Sequence, residues 1–291
     1  MSAAFLPSPS RAIWHLGPVP VRAYAICIIL GILVALQVAT RRYRKIGGRD
    51  GVMLEVATLA VPAGLIGARA YSVLTDNQLY IGHGQDWTDM LRIWDGKIGL
   101  PGAVAAGAAG AWLACRRAGV ALGPVAGAVA PGLAFGQAIG RWGNWFSQAL
   151  YGRPSALPWA VEIAPEHRVR GYESFATFQP AFLYECAWDV LVAVGVLYAM
   201  RRFLLTGDRA FALYAGAYAI GACWTQSLRI DPSQHVLGLR VSQFVLAAVL
   251  AAAVGYLFLS RHQRGPDDLG RAAAAGGPAV RGADRELPAL G

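Results

Sequence analysis

Seven apolar runs divide this chain, centred roughly on residues 22–40, 52–74, 98–115, 119–139, 180–200, 209–227 and 241–260. Each comes close to the ~20 apolar residues that a helix needs to cross a hydrocarbon layer of about 30 Å. With 56% of residues hydrophobic and only 15% charged, the chain is far too apolar for an ordinary soluble domain. The expected fold is therefore an all-α polytopic membrane protein of about seven transmembrane helices. The third and fourth runs are short and rich in Gly and Ala, and "PGAVAAGAAG" (101–110) suits a helix pressed closely on a neighbour.

A formal net charge of +9 suggests nucleic acid only until the basic residues are located. They cluster beside alternate runs: Arg41, Arg42, Arg44 and Lys45 after the first, Arg116 and Arg117 after the third, Arg201 and Arg202 after the fifth, Arg261 and Arg264 after the seventh. That distribution is a topology signal, and it places those ends in the cytoplasm and the N-terminus outside. No nucleic-acid partner is expected. Residues 1–21 then form an extracytoplasmic segment, 22–260 the membrane domain, and the Ala-, Gly-, Pro- and Arg-rich stretch 261–291 a disordered cytoplasmic tail. The loops around 75–97, 140–179 and 228–240 form a small extracytoplasmic region. The first twenty residues hold four prolines and no signal-peptide pattern, so the first span itself directs insertion. Cys27, Cys115, Cys186 and Cys223 stand singly in apolar context, and neither a disulfide nor a metal or cofactor site is expected from them. No internal repeat of the transporter kind is visible.

The polar residues inside or beside the spans carry the chemistry. Arg69 lies in the second run, where a charge costs at least about 2.5 kcal/mol at the bilayer centre unless it is paired, wetted or able to snorkel. In "GRWGNWFSQALYGRP" (140–154), Arg141 and Asn144 are three apart and share a face if the segment turns helically, with Gly140 and Gly143 leaving that face uncrowded. A guanidinium fork beside a carboxamide suits a phosphate; the alternative is an interfacial loop with Trp142 and Trp145 as aromatic anchors. "LPWAVEI" (157–163) alternates roughly as a short extended piece. Glu185 and Asp189 stand at i, i+4 in the fifth run, and buried carboxylates need partners, for which Arg69, Arg141 and Arg229 are the candidates. Such a pairing serves catalysis or simply joins helices. Arg229, Asp231 and Arg240 flank the last outer loop, Arg229 as an anion ligand or a snorkelling cap.

Taken together, these stretches resemble the prolipoprotein diacylglyceryl transferase family. The most specific match is "GRWGNWFSQALYGRP" followed by "LPW", which looks like the signature G-R-x-G-N-[FW]-x-N-x-E-x-[WY]-G. Supporting matches are "VRAYAICIILGI" (21–32), "PAGLIGARAYSVL" (62–74), "IWDGKIGLPGAVAAG" (93–107), "FQPAFLYE" (178–185) and "LRIDPSQHVLGLRVSQ" (228–243). The resemblance implies an enzyme of the bacterial cytoplasmic (inner) membrane. It would move diacylglyceryl from phosphatidylglycerol to the lipobox cysteine thiol of a preprolipoprotein signal peptide, in contact with membrane lipids and without a cofactor. It implies catalytic roles for Arg141, Arg229, Tyr24 and Glu185, and substrate contacts from Arg141, Asn144, Gly152, Arg69 and Arg229. The sequence departs from the family pattern at Ser147, Ala149, Pro101, Gln179 and Gln226, each of which removes an ionisable group or a partner. Two outcomes stay open on that basis: a transferase in which the arginine field and Glu185 or water serve the thiol, and a paralogue that binds phosphatidylglycerol or signal peptides without turnover.

Overall fold

The computed structural model describes residues 5–17, 19–75, 99–205, 207–233 and 235–260. Apart from Thr75, the loop expected at 75–97 falls outside them, as does the expected tail 261–291 with Arg261 and Arg264. Seven long helices appear among the described residues: α1 (Ala23–Lys45), α2 (Val52–Thr75), α3 (Leu100–Ala118), α4 (Leu122–Ser147), α5 (Ala181–Arg202), α6 (Gly207–Leu228) and α7 (Val241–Leu259). Five of them, α1, α2, α4, α5 and α7, are long and apolar enough to cross a membrane on their own. With α3 and α6 packed among them, the chain is an all-α polytopic membrane protein.

Apolar side chains gain little by leaving lipid for one another, so close backbone approach must hold these helices together. Small residues supply it. A Cβ on Gly31 of α1 would lie 2.5 Å from the carbonyl oxygen of Gly136 on α4, and one on Gly136 would lie 2.7 Å from that of Gly31. The "PGAVAAGAAG" run does the same for α3, where a Cβ on Gly102 would lie 2.1 Å from the Gly67 carbonyl of α2. Two helix pairs result, α1 on α4 and α2 on α3, while α5, α6 and α7 complete the bundle around α4 and α6. The pairs meet in a core at the basic end, formed by Ala39, Tyr43, Val52, Met53, Val56, Ala114, Cys115, Val125 and Ala128.

Among the described residues the opposite end carries three two-stranded ladders, all antiparallel: β1 (Ile13–Leu16) with β2 (Val19–Arg22), β3 (Val161–Glu162) with β4 (Thr177–Phe178), and β5 (His235–Val236) with β6 (Leu239–Arg240). The extended piece expected within 157–163 is β3. Tyr151, Val161, Ile163, Phe178 and Phe182 form a small core beneath it. One expectation needs correcting: residues 140–147 are not loop but the last two turns of α4. No proline interrupts them, and their glycines let α1 lie alongside, so the helix continues until Gln148 takes a left-handed conformation, φ 50°. The hairpin that leads into α1 has no counterpart in the sequence reading, since its strands are only four residues each.

Candidate functional site

Because the signature segment is helical, Arg141 leaves α4 on the side facing α5 and α6. Its Nε donates to Asp189 Oδ2 at 3.2 Å, its Nη1 stands 3.0 Å from Glu185 Oε2, and its Nη2 reaches the Tyr218 hydroxyl at 3.4 Å. Glu185 and Asp189 are 5% and 2% exposed, so both carboxylates depend on this guanidinium for compensation. The contact to Glu185 is an ion pair without hydrogen-bond alignment, and Oε2 has no hydrogen-bond partner among the described residues. Of the three arginines that the sequence offered these carboxylates, the structure selects Arg141. The fork expected to face a phosphate is thereby turned onto two carboxylates and a phenol.

The glycines of the segment have a specific use. A Cβ on Gly143 would lie 2.5 Å from Tyr24 Cδ2, so the Tyr24 ring crosses α4 over bare backbone, two residues on from Arg141 and on the face that α4 turns to α1. Tyr24 is 42% exposed, whereas Asn144 is buried. Trp142 is exposed, as an interfacial anchor requires, and Trp145 instead packs against Phe146 and Phe182.

Arg229 belongs to a second cluster just past the C-terminal end of α6. Its Nε and Nη2 donate to the two oxygens of Asp231 at 2.8 and 3.0 Å. Buried Arg240, at the start of α7, donates to the same carboxylate at 3.1 Å and to the Arg229 backbone carbonyl at 2.6 Å. Burial pushes the Asp231 carboxyl up, but the hydrogen bond and charge of Arg229, joined by Arg240, hold it below the ordinary carboxylate value. Two cations around one anion leave this cluster net positive, whereas Arg141 faces two carboxylates.

Gly152 fixes where Arg229 starts. It bridges to Arg229 between backbones, and its N–H donates to the Gln179 carbonyl at 2.9 Å, while Arg153 N–H donates to that of Leu228 at 3.1 Å. A Cβ on Gly152 would lie 2.9 Å from Gln179 Cβ and 3.1 Å from the Leu228 oxygen, too tight for any side chain. The two arginines therefore sit at different depths. Tyr218, which Arg141 touches, precedes the end of α6 at Leu228 by about 15 Å of helix rise. Arg69 is buried on α2, a helix that packs chiefly on α3, rather than extended to the surface.

The departures from the signature also have places. Ser147 donates to the Asn144 carbonyl at 3.4 Å and Ala149 N–H to the same oxygen at 3.1 Å, closing the end of α4. Gln226 accepts a hydrogen bond from Ser242, tying α6 to α7, and Pro101 opens α3. Arg240 and Tyr218 had not been singled out from the sequence as site residues. Arg240 did leave a signal, a cation at the end of the bundle that otherwise lacks basic clusters.

A model of the family described as prolipoprotein diacylglyceryl transferase matches residues 11–259. The chain is 50% identical over 266 residues to phosphatidylglycerol--prolipoprotein diacylglyceryl transferase 1 of Streptomyces coelicolor, covering 91% of this chain and 76% of that one. It is 49% identical to the phosphatidylglycerol--prolipoprotein diacylglyceryl transferase of Frankia alni (92% and 70% covered) and 44% identical to that of Cutibacterium acnes (92% and 90%). With the match running from the β1–β2 hairpin to the end of α7, this chain belongs to the prolipoprotein diacylglyceryl transferase family.

Proposed function

We propose that this protein transfers the diacylglyceryl group of phosphatidylglycerol to the lipobox cysteine of preprolipoproteins, in the bacterial cytoplasmic membrane with its N-terminus outside. The observation that carries this reading is the identity of about half of all residues, over nearly the whole chain, to proteins of that name.

The chemistry divides between the two clusters. Phosphatidylglycerol places its phosphodiester at the rim, where Arg229 and Arg240 leave net positive charge for it. The thiol sulfur attacks the glyceryl carbon that bears the phosphate; the C–S bond forms and the C–O bond breaks. The bonding pair goes to the departing phosphate oxygen, and glycerol phosphate leaves as an anion stabilised by the guanidinium groups. The thiol proton leaves through water between the clusters and is taken up by Glu185, which lies deeper in the bundle beside Arg141. Arg141 holds that carboxylate in place, and the net positive charge of Arg229 and Arg240 around Asp231 supplies the field that favours thiolate. Asn144 follows Arg141 by three residues on the same helix, and Tyr24, 42% exposed where it crosses α4 at Gly143, is open to the substrates.

The test is to incubate the purified protein with phosphatidylglycerol and a lipobox peptide. Mass spectrometry should find diacylglyceryl thioether and glycerol phosphate in equal amounts. Peptide or lipid binding without either product would refute transfer.

A further inference from the structure

At the basic end of the bundle, most arginines around the α1–α2 turn have an oxygen acceptor. Gln37 accepts from Arg41 once its amide is oriented to do so, Arg44 pairs with Asp50, and Arg49 pairs with Glu55 at 3.8 Å. Arg42 differs. Its side chain turns to the end of α5, where Nη2 lies 3.2 Å from the Met200 sulfur, and its Nε is shut from solvent with no partner among the described residues. A thioether is a weak acceptor for a group built to donate five hydrogen bonds. Arg201, next to Met200, lies close enough for its like charge to act on Arg42. Arg42 thus reaches the end of α5 beside a second cation, and its acceptor there is a thioether.

Arg201 also ends a lipid-facing stripe. Leu191, Val194 and Tyr198 precede it on α5 at helical spacing, and they are 64%, 53% and 62% exposed. Since α1 and α5 are both long and apolar enough to span a membrane, their basic ends fall at headgroup level. An acyl chain lying along the stripe would bring its own headgroup to Arg42 and Arg201. A free anion would make no use of the stripe.

We propose that the seam between the C-terminal ends of α1 and α5 is a binding site for an anionic phospholipid, its phosphate held by Arg42 and Arg201 and its acyl chain on Leu191, Val194 and Tyr198. This lipid is not the transfer substrate, because Tyr24 and Glu185 lie near the opposite ends of the same two helices. Planar, bidentate recognition of phosphate is what paired guanidinium groups do well, and basic pockets between spans are suited to such headgroups.

The probe is dioleoylphosphatidylserine, anionic but without the glycerol headgroup of the transfer donor, compared with dioleoylphosphatidylcholine on the full-length protein in detergent. Native mass spectrometry should show one retained phosphatidylserine that is about tenfold or more weaker in Arg42→Gln and in Arg201→Gln. Both variants should keep wild-type thioether formation, and Arg201, being exposed, can be replaced without disturbing the core. Equal retention by wild type and both variants, or equal retention of phosphatidylcholine, would overturn the site. Inorganic phosphate that protects against heat as well as phosphatidylserine does would overturn the assignment to a lipid.

Discussion

Arg240 donates a 2.6 Å hydrogen bond to the backbone carbonyl of Arg229, so the end of α6 is fastened to the start of α7 at the residue expected to meet the phosphate. Arg240→Ala removes that bond and both contacts to Asp231, leaving the Arg229 backbone free to shift. The expected result is a rise in KM for phosphatidylglycerol of about tenfold, the equivalent of 1.4 kcal/mol, with a smaller loss in kcat. Steady-state kinetics in mixed micelles measures the split.

The Asp231 carboxyl gives this cluster a pH dependence. Its folded pKa lies below the unfolded value of 3.8, so the native state binds fewer protons than the unfolded one in that range. The stabilisation is complete above about pH 5 and is lost as pH falls through the depressed folded value. Thermal unfolding at low pH should show wild type losing stability relative to Asp231→Asn, whose cluster has no carboxyl to protonate. Near neutral pH wild type is the more stable of the two, and the difference closes as pH falls because a protonated carboxyl, like the amide, carries no charge for the arginines.

Asp189 and Glu185 share one guanidinium but not one task. Asp189→Ala leaves a partly buried cation with a single, poorly aligned carboxylate, and breaking a largely buried pair costs about 3 kcal/mol. A fall in thermal midpoint is expected. Glu185→Gln keeps the shape but loses the proton acceptor, so kcat should fall at least about a hundredfold while KM for phosphatidylglycerol holds. An unchanged kcat would remove Glu185 from the reaction.

Gly143→Ala tests the crossing of Tyr24 over α4. The new Cβ would overlap the ring at 2.5 Å, and moving it costs on the order of 1–3 kcal/mol. Gly195→Ala, in α5 where nothing lies within 4 Å and the backbone is helical, provides the comparison for a substitution into open space. Thermal unfolding should show a lower midpoint for Gly143→Ala than for Gly195→Ala, and a transfer assay should show a loss of activity that Gly195→Ala does not share.

Much of the architecture was legible because lipid imposes a length on each helix. The α1 to α7 boundaries follow the apolar runs within a few residues, except where α4 continues through Arg141 and Asn144. That extension was hidden because glycines and a cation read as a loop, while their actual use, admitting Tyr24 and reaching Asp189, depends on other helices. The need of Glu185 and Asp189 for a cation was visible; which arginine supplies it was not, since three were available at unknown depths. Short ladders such as β5 with β6 leave no periodicity to detect at two residues per strand. Arg240 was read only as a flanking charge, because its bonds to Arg229 and Asp231 exist only once the loop has folded back.

The division between a phosphate-binding rim and a proton-accepting interior is tested most directly by equilibrium binding of phosphatidylglycerol without peptide, when no turnover is possible. Arg229→Gln should weaken that binding by about tenfold or more, from the loss of charge-assisted hydrogen bonds, while Arg141→Gln leaves it within about threefold. Unchanged affinity in Arg229→Gln, or a large loss in Arg141→Gln alone, would contradict the account.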